Sequence, residues 1–242
     1  MGGLSPLSLV YVVLSYAGAA IFFGGLIHKL WGYAVTPNPL SIPTTPSPTT
    51  LGGVVARTAL NIATFADLFK GNRWTWMGGY AFHVILVAVL ARHLRLFLHP
   101  VPPLLAQIQP VALLIALLLP LPLVYLLARR KAVDRYAWIS SPADYFALLL
   151  ILLIGVSGLA LRFVNHADLV GIKHFLLGLA VLSPVDMPPH PMFIIHFTLA
   201  LTLAVYFPFS KLMHAGGVFF SPTRTMVDDP RERRHVNPWA AK

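Results

Sequence analysis

Five apolar runs decide what this chain can fold into, near 7–27, 77–98, 104–127, 144–163 and 191–213. Each reaches the roughly 20 residues that a helix rising about 1.5 Å per residue needs to cross about 30 Å of hydrocarbon. Lipid offers no water to satisfy backbone N–H and C=O groups, so a spanning run of this length closes its hydrogen bonds within itself as a helix. The expectation is an all-α membrane protein, a five-transmembrane-helix bundle forming one domain over residues 1–242. Composition agrees: 57% of residues are hydrophobic and 11% charged, too few charges to cover a water-facing surface. The first run lacks the basic leader and small-residue cleavage site of a secretion signal, so it counts as a crossing.

The connections set orientation. With the N-terminus outside, 14 of the 18 Lys and Arg residues fall on the inner side, leaving Arg92, Arg95, Arg162 and Lys173 outside. Cations gather on the cytoplasmic side of a membrane, so the N-terminus is expected to be periplasmic and the C-terminus cytoplasmic. The basic excess thus writes topology, and no nucleic-acid partner is expected. On this reading 28–76 is a cytoplasmic loop, 164–190 a periplasmic connection and 215–242 a cytoplasmic tail. The stretch Thr36 to Thr50 is rich in Pro, Thr and Ser and should be extended, while 51–76 holds a short surface helix. Leu169 to Leu182 is apolar but too short to cross, and is expected to lie as a helix at the outer interface.

Ionisable side chains at membrane depth are costly and mark function. Four histidines qualify: His83 and His93, ten residues apart in the second run, and His196 and His214, eighteen apart in and at the end of the fifth. Eighteen residues is five turns at about 3.6 per turn, which places His196 and His214 on one face if the helix stays regular past Pro208. The second helix runs inside to outside and the fifth the other way. Antiparallel packing therefore matches His83 with His214 at the inner side and His93 with His196 at the outer. Two pairs of neutral imidazoles at two depths are what two bis-histidine b-type haems require. One such histidine alone would more often be a helix–helix hydrogen-bond partner; two on each of two helices shift the balance. His28, His99, His166, His174, His190 and His235 fall in loops or at interfaces and take no ligand role.

Other signals are weaker. Gly78, Gly79, Gly155 and Gly158 could make room for a flat macrocycle, although small residues in membrane helices most often only allow close packing. Arg92 and Arg95, beside His93, could pair with haem propionates or simply reach the headgroups. The chain has no cysteine, which excludes disulfides, thiolate-bound clusters and thioether-attached haem. It also shows no catalytic nucleophile constellation and no phosphate loop.

Phe82-His83 followed ten residues later by His93, and Ile195-His196 followed by Phe207-Pro208-Phe209-Ser210-Lys211-Leu212-Met213-His214, resemble the cytochrome b subunit of respiratory nitrate reductase, the NarI family. The resemblance spans nearly the whole chain. It implies an inner haem on His83 and His214 and an outer haem on His93 and His196. The tail His214-Ala215-Gly216-Gly217-Val218-Phe219-Phe220-Ser221-Pro222-Thr223-Arg224, with Pro230-Arg231-Glu232-Arg233-Arg234 beyond it, looks like the DsrM branch, the haem-b subunits of the DsrMKJOP membrane complex. That branch implies a cytoplasmic iron–sulfur partner of the DsrK or heterodisulfide reductase D type, further DsrJOP-type subunits, and a link to sulfur metabolism. Two departures stand out. The first connection is longer than in the nitrate reductase subunit, and the 99–110 connection offers Gln107 and Gln109 where that subunit uses a lysine near its outer haem.

The expected function is a redox subunit in the prokaryotic cytoplasmic membrane. It would exchange electrons and protons with a quinone or quinol near the outer haem and relay electrons through the inner haem to or from the iron–sulfur partner. Arg92, Lys173 and His174 are the candidates for the quinone site, the last an imidazole of the kind suited to proton exchange. Alternatives are the gamma subunit of a nitrate reductase or heterodisulfide reductase-type complex, a transporter with a histidine proton relay, and a plain anchor. Against a transporter, the sequence shows no internal repeat and no discontinuous helix pair.

Overall fold

The computed structural model describes residues 3–37, 43 and 46–229. Helix α1 (Pro6–Val35) is followed by the short helices α2 (Leu51–Thr64) and α3 (Ala66–Gly71). Helix α4 (Arg73–His93) runs on as a tighter turn to Leu96. Helices α5 (Pro103–Ala116) and α6 (Pro120–Ala132) together make the third crossing, and α7 (Asp134–Ile139) turns the chain. Helix α8 (Pro142–Phe163) is the fourth crossing, α9 (Leu169–Ala180) occupies the next connection, and α10 (Pro191–Tyr206) is most of the fifth. Among the described residues there is no strand, and five helical segments are long and apolar enough to span a membrane. Leu9, Val13, Phe23, Ile27, Val87, Leu114 and Leu121 each expose more than half their surface. Exposing apolar area to water costs about 25 cal/mol per Å², a cost that lipid removes. This is a multi-pass membrane protein.

The helix starts follow from local chemistry. Helices α1, α5, α6, α8 and α10 open on proline, whose missing N–H costs nothing in the first turn. Ser5, Asn72 and Ser141 cap α1, α4 and α8, the last reciprocally with Asp144.

Helix α1 continues to Val35 and α4 begins at Arg73, so 36–72 joins these two helices and holds the short helices α2 and α3. These meet at Phe65, whose φ of 54° is left-handed. Part of the stretch Thr36 to Thr50, and the tail from 230 with His235, lie outside the described residues.

Two crossings are interrupted, against the expectation of continuous helices. Pro120 has no N–H for the Ala116 carbonyl, which takes the N–H of Leu119 instead while that of Leu118 bonds Ile115, and the third crossing turns over Leu117 to Leu119. In the fifth, α10 stops at Tyr206, Phe207–Phe209 tightens, Ser210 is extended (φ −116°, ψ 172°), and Lys211–Met213 forms another tight turn before α11 (His214–Gly217). His196 and His214 are therefore not joined by five regular turns.

Helix α4 packs on α3, α5 and α6, α8 on α6 and α10, and α1 on α10. One core joins Phe82 and Ile85 of α4 to Leu119, to Leu123 of α6 and to Ile151 of α8. A second joins Tyr11 and Val12 of α1 to Ile172, Phe175 and Leu176 of α9, Met187, and Phe193 of α10. Helix α9 is thus seated by one full face, with Phe175 wholly buried. The start of α1 is tied to the same end of the bundle, because Ser8 Oγ accepts the Met187 N–H at 2.8 Å and the Ser5 N–H donates to Asp186 at 2.8 Å.

Candidate metal centres

The four candidate histidines come together in two pairs. His83 and His214 have ring centres 5.9 Å apart with planes at 81°, and His93 and His196 have ring centres 6.3 Å apart with planes at 17°. The break at Ser210 makes the first pair possible: it turns the chain after α10 so that His214 reaches the level of His83, which a straight continuation would overshoot.

Each ring is held through Nδ1. The Nδ1–H of His83 donates to Gly79 O at 2.7 Å, that of His93 to Val89 O at 2.7 Å, and that of His214 to Lys211 O at 2.8 Å. A carbonyl only accepts, so a proton sits on Nδ1, and in the neutral ring Nε2 keeps its lone pair. His196 reaches the same tautomer by another route. Ser157 Oγ donates to Ile154 O at 3.0 Å and so accepts from His196 Nδ1 at 3.0 Å. Four imidazoles with Nδ1 occupied are four rings whose orientation is already set and whose Nε2 is left to serve as the ligand atom.

The spacing suits a metal between each pair. Two bonds of about 2 Å from imidazole nitrogen to metal, plus about 1 Å on each side from nitrogen to ring centre, place the centres about 6 Å apart. Among the described residues no group of three or more His, Cys, Asp or Glu converges. A zinc-like site of protein ligands alone is therefore not formed there, whereas two axial ligands are the complement that an iron macrocycle needs.

The glycines divide. A Cβ on Gly78 would lie 2.6 Å from Tyr125 and one on Gly155 would lie 3.0 Å from Leu119, so both serve helix packing. A Cβ on Gly158 would stand 3.1 Å from His196 Cε1, so this glycine admits the ring. Near Gly79 only Leu68 comes within 4 Å, at 3.8 Å, and its part is the carbonyl that holds His83.

Of the quinone-site candidates, Arg92 donates to Gln109 O at 3.1 Å, Lys173 Nζ donates to Leu98 O at 2.7 Å, and His174 is exposed on α9. The structure gives no contact between them. His28, His99 and His166 are exposed, and His190 caps α10 by accepting the Phe193 N–H at 3.4 Å.

Sequence reasoning missed three contributors. Ser157 is one polar residue in an apolar run, a mild signal. Phe65 sets its ring 4.9 Å from that of His83, and nothing in its neighbourhood along the chain announces this. Asp144 is buried, forms the capping box with Ser141, and takes Lys211 Nζ at 2.8 Å with Arg130 at 3.9 Å. The Ser-x-x-Asp pattern reveals the cap but not the partner 67 positions away.

No family model matches the sequence. The chain is 38% identical to the Hdr-like menaquinol oxidoreductase cytochrome b-like subunit of Archaeoglobus fulgidus, over 94% of this chain and 82% of that protein. It is 32% identical to the subunit of the same name from Archaeoglobus profundus, over 98% and 84%. With two such relatives matched along almost its whole length, the chain belongs to the family of cytochrome b-like subunits of Hdr-like menaquinol oxidoreductases.

Proposed function

We propose that this chain is the dihaem cytochrome b subunit of a membrane quinol oxidoreductase, with one haem iron between His83 and His214 and the other between His93 and His196. The observation that supports it most is the pairing itself: His83 and His93 of α4 face His214, after the break at Ser210, and His196 of α10, each ring tied through Nδ1 and each pair spaced for a metal between its two nitrogens. Haem b, when bound, supplies a reversible one-electron change at its iron. The residues of the chain fix the ligands, keep water from the apolar bundle and position the ring edges.

The relatives' name carries menaquinol, and a menaquinol-type quinone is the membrane substrate proposed here. It would meet the outer end of the bundle, where Lys173 and His174 on α9, and Arg92 on α4, are the titratable or cationic groups. The distribution of Lys and Arg supports a periplasmic N-terminus and a cytoplasmic C-terminus. The connection 36–72 and the tail from 215 would then face the cytoplasm and dock an iron–sulfur protein of the DsrK or heterodisulfide reductase D type. Within the NarI-like proteins the tail motif favours the DsrM branch and a role in sulfur metabolism.

A histidine-relay transporter is the less favoured reading despite the two helix breaks. The break at Leu117 to Leu119 keeps its N–H groups bonded and offers leucines, not polar helix ends, to the bundle. Pyridine haemochrome analysis of the purified protein should give two haems b per chain. One haem or none would overturn the reading.

A further inference from the structure

Just outward of His93 and His196 the described residues gather three arginines and no carboxylate. Arg92 and Arg95 flank His93 at the end of α4. Arg162 lies on α8 one helical turn beyond Gly158, which abuts the His196 ring, and five residues beyond Ser157, which holds that ring. At about 1.5 Å per residue Arg162 sits some 6–7.5 Å further toward the outer end than the histidine it follows. Arg92 and Arg95 share Gln109 as a hydrogen-bond partner, and none of the three arginines takes part in an ion pair among the described residues.

Gln109 on α5 organises two of them. Its backbone carbonyl accepts from Arg92 at 3.1 Å and its side-chain Oε1 accepts from Arg95 at 3.4 Å. Its Nε2 is buried without a hydrogen-bond partner. Turning the amide round does not cure this, because only the oxygen end can accept from Arg95. A buried donor without a partner and two guanidinium groups on one residue are each unfavourable alone, and an anionic acceptor at this end of the bundle, within reach of the exposed Arg162, relieves both.

We infer that Arg92, Arg95, Arg162 and the Gln109 amide form a carboxylate cradle for the propionate groups of the outer haem. The inference rests on the proposed ligation of that haem by His93 and His196. A haem carries its two carboxylates on one edge of the ring, so a ring fixed at its iron by this pair presents both charges together. Guanidinium groups bind carboxylates through forked, charge-assisted hydrogen bonds. A neutral quinone can accept a hydrogen bond from one cation such as Arg92 but does not call for three. A lipid phosphate reached from the bilayer surface would need neither the buried amide nor the alignment with the histidine pair.

The test uses the full chain in two arms. In the first, Arg95→Gln and Arg162→Gln are compared with the parent by redox titration of both b-type components. The outer component should shift to lower potential in each variant and further in the double variant, while the inner component stays fixed and reports that the bundle is folded. In the second, the parent chain is made in a haem-deficient host supplied with haem b or its dimethyl ester. The ester should fill the outer site about tenfold less well than the acid, and the double variant should no longer distinguish the two. Equal filling by acid and ester in the parent would overturn the cradle and leave the arginines to lipid headgroups. Absence of haem at the His93–His196 pair with the acid form would instead overturn the proposed function itself.

Discussion

Lys211 joins two structures at once: its ammonium lies 2.8 Å from the buried carboxylate of Asp144, and its carbonyl accepts the Nδ1–H of His214 at 2.8 Å. Asp144 caps α8, so the start of the fourth crossing fixes the turn that delivers a histidine after the fifth. Asp144→Asn should keep both pairs but loosen the inner one, broadening or shifting its spectrum alone. Because the Lys211 side chain is 77% exposed, the lysine can find water, and the loss should be about 1–3 kcal/mol of stability rather than a collapse. Asp144→Glu should restore much of the signal. Thermal melts with component-resolved spectra check both points, and equal change in the two components would contradict the link.

The pairing makes a sharper demand on the histidines. His83→Ala and His214→Ala should remove the same spectral component, and His93→Ala and His196→Ala the other, as read in redox-resolved visible spectra. Electron paramagnetic resonance gives a second check. Nearly perpendicular imidazole planes at the inner pair and nearly parallel ones at the outer should give two distinct low-spin ferric signals, the inner the more axial.

Ser157 orients His196 without touching any metal. Ser157→Ala removes the Nδ1 partner and should weaken retention of the outer haem by about tenfold, with the inner haem unaffected. Gly158→Val should do more, since even a Cβ meets the ring at 3.1 Å. Haem loss followed in the presence of an acceptor for free haem measures both. If Gly158→Val retained the outer haem like the parent, the ring's seat would be wider than the structure gives it.

For the quinone the expectation centres on α9. His174 is exposed, and His174→Ala should slow reduction by a menaquinol analogue severalfold while both haems remain bound. A hydroxyquinoline-type inhibitor should perturb the outer component. Unchanged stopped-flow kinetics in the variant would move proton exchange away from α9.

The architecture was legible in the chain because crossing a membrane needs only length and apolarity, which are local properties. The histidine pairs were legible for a related reason: in hydrocarbon an imidazole stands out, and helix direction alone decides which two share a depth. Residues whose roles depend on contacts far along the chain were not. Asp144 meets Lys211 across 67 positions and Ser157 meets His196 across 39, and no periodicity encodes such partners. The break at Ser210 was hidden differently. Pro208 suggested a bend, but it is the extended backbone at Ser210, two residues later, that redirects the chain before His214 meets His83.

Phe65 carries two conflicting instructions. Its left-handed backbone between α2 and α3 favours glycine, while its ring rests edge-on 4.9 Å from His83 and 5.6 Å from Tyr80. Substituting glycine would ease the main chain by roughly 1 kcal/mol and at the same time uncover one side of an imidazole. Main-chain comfort and a sheltered histidine therefore oppose each other at this one position, and an aromatic residue there tolerates the strained turn while covering one side of His83.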